Sequence, residues 1–242
     1  MNKTLLVVGA SSEIGQAYIK KYHTRYEKIL CTYCKNENAI TQLRQELGNK
    51  IISKRLDLLQ EDLITEFGEF LQNENLFPGF FLFLPAQVTQ MKRVYQQDIT
   101  SVKEDLEVDV LSVLTIFKYI IPNMIKEQFG RICFMLSSVT ESPTAFNPSY
   151  HISKYALLGL MKAAAVELAP KKITVNAVSP TMIDTKFTAA VSPLAKKKRI
   201  EDSPLKRLAT PDDVIVPIAH LLDEENCFET GQNILLSGGM MF

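Results

Sequence analysis

The chain has 242 residues, 46% of them hydrophobic, with 27 lysines and arginines against 27 aspartates and glutamates. That length suits a single domain with a substantial core, and zero formal net charge gives no global attraction to nucleic acid or an anionic membrane surface. The opening "MNKTLLVVGASS" has too short an apolar run for a signal peptide, and no run approaches the roughly 18 apolar residues of a membrane span, so a cytoplasmic protein is expected.

Apolar strand-like runs alternate with helical ones. "KTLLVVG" (3–9) precedes a helix from about 12 to 26, and "KILCTY" (28–33) one from about 37 to 48. "KIISKRLD" (50–57) leads to a helix near 60–73, and "GFFLFLPA" (79–86) to a long helical stretch near 100–128. "GRICFMLSS" (130–138) precedes a helix near 149–169. "KITVNAVSP" (172–180) runs into an irregular segment, 181–210, a candidate lid over a ligand crevice. Thr210-Pro211-Asp212-Asp213 then carries the cap, proline and acidic-turn signals of a further helix, and "QNILLSG" (232–238) closes the chain. This alternation predicts an α/β fold: one domain, 1–242, with a parallel, doubly wound Rossmann-type sheet and helices on both faces. "FFLFL" and "ICFML" lack polar alternation, as strands buried on both sides should.

Cys31 and Cys34 form a C-x-x-C, but strand residues three apart point to opposite faces, so they read as core thiols. His23, His151 and His220 share no ligand spacing with the dispersed acids, and no metal site is expected.

Three stretches carry chemistry. Gly9-Ala10-Ser11-Ser12-Glu13-Ile14-Gly15 is a glycine-bounded turn between strand and helix, where the phosphates of a nucleotide would sit. Tyr150 and Lys154, in "YHISK", are four apart on one helix and share a face. A free phenol, with a pKa near 10, is a poor acid–base catalyst at neutral pH, and about 4 kcal/mol of differential interaction from a neighbouring ammonium would change that. Ser137 and Ser138 end the buried strand just upstream, at the edge that opens on the crevice. A serine, a tyrosine and a lysine there would polarise a carbonyl and deliver a proton as hydride arrives.

In the order and spacing of "VVGASSEIG", "SS…YHISK", "NAVSPTMIDT", "PLKRLATPDDV" and "TGQNILLSGG", the chain resembles the short-chain dehydrogenase/reductase family over essentially its whole length, and within it reductases of the 3-oxoacyl-carrier-protein type. The resemblance implies about seven strands, a nicotinamide cofactor and a homo-oligomer, tetramer or dimer. It implies Ser138 as the substrate-orienting residue, Tyr150 as the acid/base, and Lys154 as the ribose contact that tunes Tyr150. It further implies cofactor contacts from the turn (Gly9, Ser11, Ser12, Glu13, Ile14, Gly15), from Asp57 at the adenine, from Ala86 after the fourth strand, and from Ile183 and Thr185 at the carboxamide. The expected partner is a small or carrier-protein-bound carbonyl substrate.

The chain departs from the family pattern at four places. Glu13 replaces a glycine, its carboxylate expected to face solvent while its N–H faces the pyrophosphate. Leu84-Pro85-Ala86-Gln87 replaces Asn-Asn-Ala-Gly, and Pro85 removes a donor from a central strand's end. Asp109 stands where a fourth catalytic residue, an asparagine, is usual; it can hold a water or pair with Lys154. Thr181 replaces a glycine. The departures keep open an alternative, a catalytically weakened relative acting as a cofactor-binding or structural partner subunit. For the cofactor, Lys35 stands where an NAD enzyme carries an acid, which favours NADP(H), with NAD(H) possible through Glu37. Residues 87–98, 139–149 and 181–205 are expected to shape the substrate pocket.

Overall fold

The computed structural model describes residues 3–87, 91–189 and 191–241; positions 88–90 of the expected pocket-shaping stretch and position 190 of the lid lie outside the described residues. The chain runs β1 (Thr4–Val8), α1 (Glu13–Tyr22), β2 (Lys28–Tyr33), α2 (Glu37–Leu47), β3 (Ile51–Arg55), α3 (Glu61–Asn73) and β4 (Phe80–Phe83). It continues with α4 (Ile99–Leu106), a π-helical turn Glu107–Leu111, α5 (Ser112–Glu127), β5 (Gly130–Met135), α6 (Pro148–Leu168), β6 (Ile173–Pro180), α7 (Pro193–Asp202), α8 (Pro211–Leu221) and β7 (Asn233–Leu236).

All seven strands are parallel, in the order β3-β2-β1-β4-β5-β6-β7. The order reverses at β1, whose carboxyl end therefore borders a crevice between two diverging connections, the place where open α/β sheets bind ligands. Alternate strand residues feed two cores. Phe81, Phe83 and Phe134 pack with Phe67 of α3, Ile116 of α5 and Leu157 of α6. Leu5, Val7 and Leu82 pack on the other face with Tyr18 of α1, Ile40 of α2 and Val214 of α8.

Two local features differ from expectation. The lid is partly regular: it contains a 3-10 turn, Lys186–Thr188, and α7, with Ser192 capping and Pro193 in its first turn. The continuous helix Ile99–Glu127, 29 residues, is long and apolar enough to cross a membrane by length and composition, which the sequence did not lead us to expect. Here its Val113, Ile116, Ile120 and Met124 fill the protein's own core.

Candidate active site

The crevice begins where β1 ends. Gly9 has φ +80°, a left-handed conformation that only glycine adopts without strain. Its N–H reaches Thr32 Oγ1 of β2 at 3.4 Å, and the next N–H, of Ala10, bonds the Thr32 carbonyl at 2.9 Å. Ser12 caps α1, its hydroxyl accepting from Gly15 N–H at 3.0 Å. Gly15 lies against the turn: a Cβ there would stand 2.8 Å from the Ala10 carbonyl oxygen and 2.9 Å from its Cα. The half-buried Ile14 packs into the core beneath, and Ser11 lends its carbonyl to Gln16 Nε2 at 3.1 Å. The turn thus presents the amino end of a ten-residue helix to the crevice, with no side chain at its two tightest points, and fits a bound pyrophosphate. Glu13 does not have a positive φ, so its backbone is unstrained. Its side chain corrects expectation: Glu13 Oε2 accepts from Lys186 N–H of the lid at 2.6 Å instead of facing solvent.

Around the adenosine side, Lys35 is exposed just past β2 and makes no ion pair among the described residues. Glu37, the displaced acid, accepts the Tyr33 hydroxyl at 2.8 Å. Asp57 braces its own turn, accepting from Leu59 N–H and from Gln60 Nε2, both at 3.1 Å. Ala86 is half-buried beyond Pro85.

The acid–base group assembles from three elements. Ser138 opens a short 3-10 turn after β5, packed on α6. Ser137 spends its hydroxyl accepting from Val139 N–H, whereas Ser138 Oγ makes no hydrogen bond within the described residues. Tyr150 lies in the first turn of α6, half-buried, and Lys154 follows one turn later, with Nζ 5.7 Å from the Tyr150 ring centroid. Lys154 is 1% exposed, and an ammonium so buried needs compensation. Asp109, 2% exposed, supplies it: Nζ donates to Oδ1 at 3.1 Å, and Ser153 Oγ donates to Oδ2 at 2.7 Å. Asp109 sits in the π-helical turn, where Ser112 N–H bonds the Glu107 carbonyl five residues back. Such a widened turn is frequent at functional sites. Lys154 also donates to the carbonyls of Pro85 and Met135, each at 3.4 Å, so its three hydrogens all have protein acceptors.

At the lid's base Ile183 bridges to Ala209, and Asp184 N–H bonds the Ala209 carbonyl at 2.9 Å. Thr185 and Thr188 cap each other's backbone at the 3-10 turn, while Thr188 Oγ1 donates to the Ile183 carbonyl at 2.7 Å. A cavity of about 350 Å³ lies behind, lined by Met182, Arg199, Ser203, Leu205 and Met240.

The protein-family model described as "Enoyl-(Acyl carrier protein) reductase" matches residues 9–241. The chain is a short-chain dehydrogenase/reductase. It is 30% identical to the "Uncharacterized oxidoreductase YmfI" of Bacillus subtilis, over 99% of both chains. It is also 30% identical to the "3-oxoacyl-[acyl-carrier-protein] reductase FabG" of Aquifex aeolicus, covering 98% of this chain and 97% of the relative. Among solved structures, YwfH, described as an NADPH dependent reductase involved in bacilysin biosynthesis, superposes with a TM-score of 0.89 at 20% identity, covering 100% of this chain and 99% of that one. The protein is thus a Rossmann-fold oxidoreductase.

In this short-chain dehydrogenase/reductase the family's departures are accommodated locally. The last β1–β4 ladder bond is from Leu84 N–H to the Val8 carbonyl, and Pro85 follows directly, its own carbonyl and that of Met135 on β5 accepting from Lys154 Nζ. Thr181 ties β6 to β7, its N–H and hydroxyl both bonding the Leu236 carbonyl. His151 is structural: Nε2 accepts from Thr144 N–H at 3.1 Å and Nδ1 faces the Asn147 carbonyl at 2.7 Å, which sets the Nδ1–H form. These contacts hold the loop before Tyr150, where Phe146 and Asn147 both have positive φ. Burial pushes the Cys31 thiol up to about 12 and Cys133 higher still, so neither is a reactive thiol. Among the described residues no group of three or more His, Cys, Asp or Glu is arranged to hold a metal. Sequence reasoning missed Ser153 and the backbone N–H of Lys186, neither of which carried a signal.

Proposed function

We propose that this oxidoreductase interconverts a carbonyl and an alcohol with NADP(H), in a cytoplasmic setting, on a 3-oxoacyl thioester or related small or carrier-bound carbonyl. The observation that carries the reading is the buried Lys154, held by Asp109 beside the Tyr150 ring, with Ser138, its hydroxyl unengaged, on the turn that packs against the same helix. A core tyrosine and lysine kept only for stability would not need an ion pair that costs desolvation on both sides.

The nicotinamide, when bound, supplies or takes the hydride. The chain's own residues do the rest. Ser138 Oγ donates to the substrate's carbonyl oxygen and fixes it, and the Tyr150 hydroxyl gives that oxygen its proton in reduction or, as phenolate, removes it in oxidation. Lys154 sets a positive charge behind the ring. For it to hold the ribose as well, one of its two 3.4 Å carbonyl contacts must be exchanged for a ribose hydroxyl, since Asp109 and Ser153 lock the rest of the pair. The turn from Gly9 to Gly15 would take the pyrophosphate, Asp57 and Ala86 would border the adenosine, and Ile183 and Thr185 the nicotinamide end. The unpaired Lys35, with Glu37 tied to Tyr33, supports NADP(H) over NAD(H). The full-length 30% identity to a reductase named for 3-oxoacyl-carrier-protein supports the thioester class. A groove of about 750 Å³ lined by Leu111, Leu114, Ile121 and Leu160 supports a homo-oligomer.

The test is NADPH consumption with a panel of ketones and 3-oxoacyl thioesters. Tyr150→Phe should lose about 100-fold or more in kcat with NADPH binding retained, and NADH should be clearly the poorer cofactor. Binding of NADPH by both proteins with turnover by neither would overturn the catalytic reading in favour of a binding subunit.

A further inference from the structure

Behind the Tyr150–Lys154 pair the protein buries a second carboxyl group. Asp105, in the last turn of α4, is 3% exposed, one turn before Asp109 at 2%. The two acids share one buried cation. Lys154 and Ser153 engage both oxygens of Asp109, and nothing comparable remains for Asp105, whose Oδ2 has no hydrogen-bond partner among the described residues. On the facing helix α6, Ser149, fully buried and directly before Tyr150, also has a hydroxyl without a partner. The two orphaned polar groups stand on helices that pack against each other. The Ser149 hydroxyl can serve either form of the acid, as donor to a carboxylate or acceptor from a carboxyl group. It carries no charge, so an ionised Asp105 adds a negative charge to the core that the buried Lys154, already paired with Asp109, does not cancel.

We propose that Asp105 is a positioning residue of the acid–base site: a buried acid, facing Ser149 across the packed helices, whose ionisation, on raising the pH, tightens the hold of Tyr150 on its own proton. The proposal rests on the reading of Tyr150 as the proton carrier. With Asp105 neutral, Asp109 and Lys154 cancel. With Asp105 ionised, the cluster carries one net negative charge, which offsets the field of Lys154 at the Tyr150 ring. Burial raises the Asp105 carboxyl, Ser149 acts against that, Asp109 raises it further, Lys154 lowers it and Glu104 raises it. These are the charged groups that act on it, Glu104 and Asp109 from its own helix and Lys154 from α6.

The experiment needs no substrate. The ionisation of Tyr150 is read as the ultraviolet tyrosinate signal lost in Tyr150→Phe, first with Asp105 present and then in Asp105→Asn and Asp105→Leu backgrounds. Both neutral replacements should move the Tyr150 titration to lower pH by about half a unit or more, roughly threefold in its ionisation constant. The effect should be alike in the two, though one is polar and one apolar. A second measurement reads Asp105 itself. A carboxyl raised by folding binds more protons folded than unfolded, so its stability contribution is fullest below the unfolded carboxyl range and falls as pH rises through the folded value. The denaturation free energy of the protein, relative to Asp105→Asn, should therefore decline as pH is raised. An unmoved Tyr150 titration, a shift that follows side-chain size, or a stability difference flat with pH would each overturn the proposal. Failure of turnover with the substrate panel bears instead on the catalytic reading.

Discussion

Replacing Glu13 tests how the phosphate turn and the lid are coupled. Its carboxylate occupies the amino end of the lid's 3-10 turn, through the 2.6 Å bond from Lys186 N–H, while its own backbone opens α1. A pyrophosphate seated on the same turn meets that charge. Taking roughly 7 Å of separation, an effective dielectric near 40 and two phosphate charges, the repulsion is about 2.4 kcal/mol, which screening at physiological salt reduces to about 1 kcal/mol. Glu13→Gln removes the charge and keeps the acceptor for Lys186; Glu13→Gly removes both. Both should tighten NADPH binding about fivefold, read by quenching or enhancement of nucleotide fluorescence, with the gain shrinking as salt is added. Only Glu13→Gly should speed tryptic cleavage in the lid, where Lys196, Lys197, Lys198 and Arg199 stand together. Loss of NADPH binding in Glu13→Gly would refute the picture of the turn, and a gain indifferent to salt would refute the electrostatic argument.

Three further outcomes are expected. Asp109→Leu strands the ammonium of Lys154 in the core and should cost about 3–5 kcal/mol in urea denaturation; a loss under about 1 kcal/mol would mean that Lys154 finds water. Gly15→Ala sets a Cβ within 3.0 Å of Ala10 backbone atoms, which cannot rotate away; it should destabilise the fold by about 1–3 kcal/mol and weaken NADPH binding, as thermal unfolding and nucleotide titration would show. The Arg207 guanidinium, in a forked contact with Asp213 beside the Thr210 cap, holds the Asp213 carboxyl well below the usual range. A depressed carboxyl contributes stability above its unfolded value and loses it as pH falls through the folded one. Arg207→Met should therefore lower the melting temperature at neutral and alkaline pH and lessen its decline on the acid side, the two proteins converging at low pH.

The order of strands and helices was legible because buried parallel strands read as apolar runs and their crossovers as amphipathic ones. Strand ends were drawn too long wherever the apolar run outlasts the ladder: "GFFLFLPA" reads to Ala86, but β4 stops at Phe83, with one further ladder bond from Leu84 N–H before Pro85, which has no N–H to continue it. The π-helical turn at Glu107–Leu111 had no sequence signal, since one widened turn barely disturbs helical spacing. Tyr150 and Lys154 were legible as an i, i+4 pair. The Glu13–Lys186 contact was not, because it joins positions 173 residues apart through one backbone N–H, which has no side-chain identity to read.

The same distinction explains why replacing a family asparagine by Asp109 does not dismantle the site. An amide in that place both donates and accepts, so it leaves a neighbouring lysine comparatively free. A carboxylate only accepts, and its charge draws the ammonium into a short contact that Ser153 reinforces from the other oxygen. Lys154 is then fixed by one strong partner and held loosely by the Pro85 and Met135 carbonyls at 3.4 Å. Pro85 lies against Gly9, its ring carbons 3.5 Å from where a Gly9 Cβ would stand, so one of the two carbonyls that hold Lys154 loosely belongs to a residue walling that turn. The residue whose proline looked, in the sequence, like damage to a central strand thus touches both the Gly9 turn and the lysine.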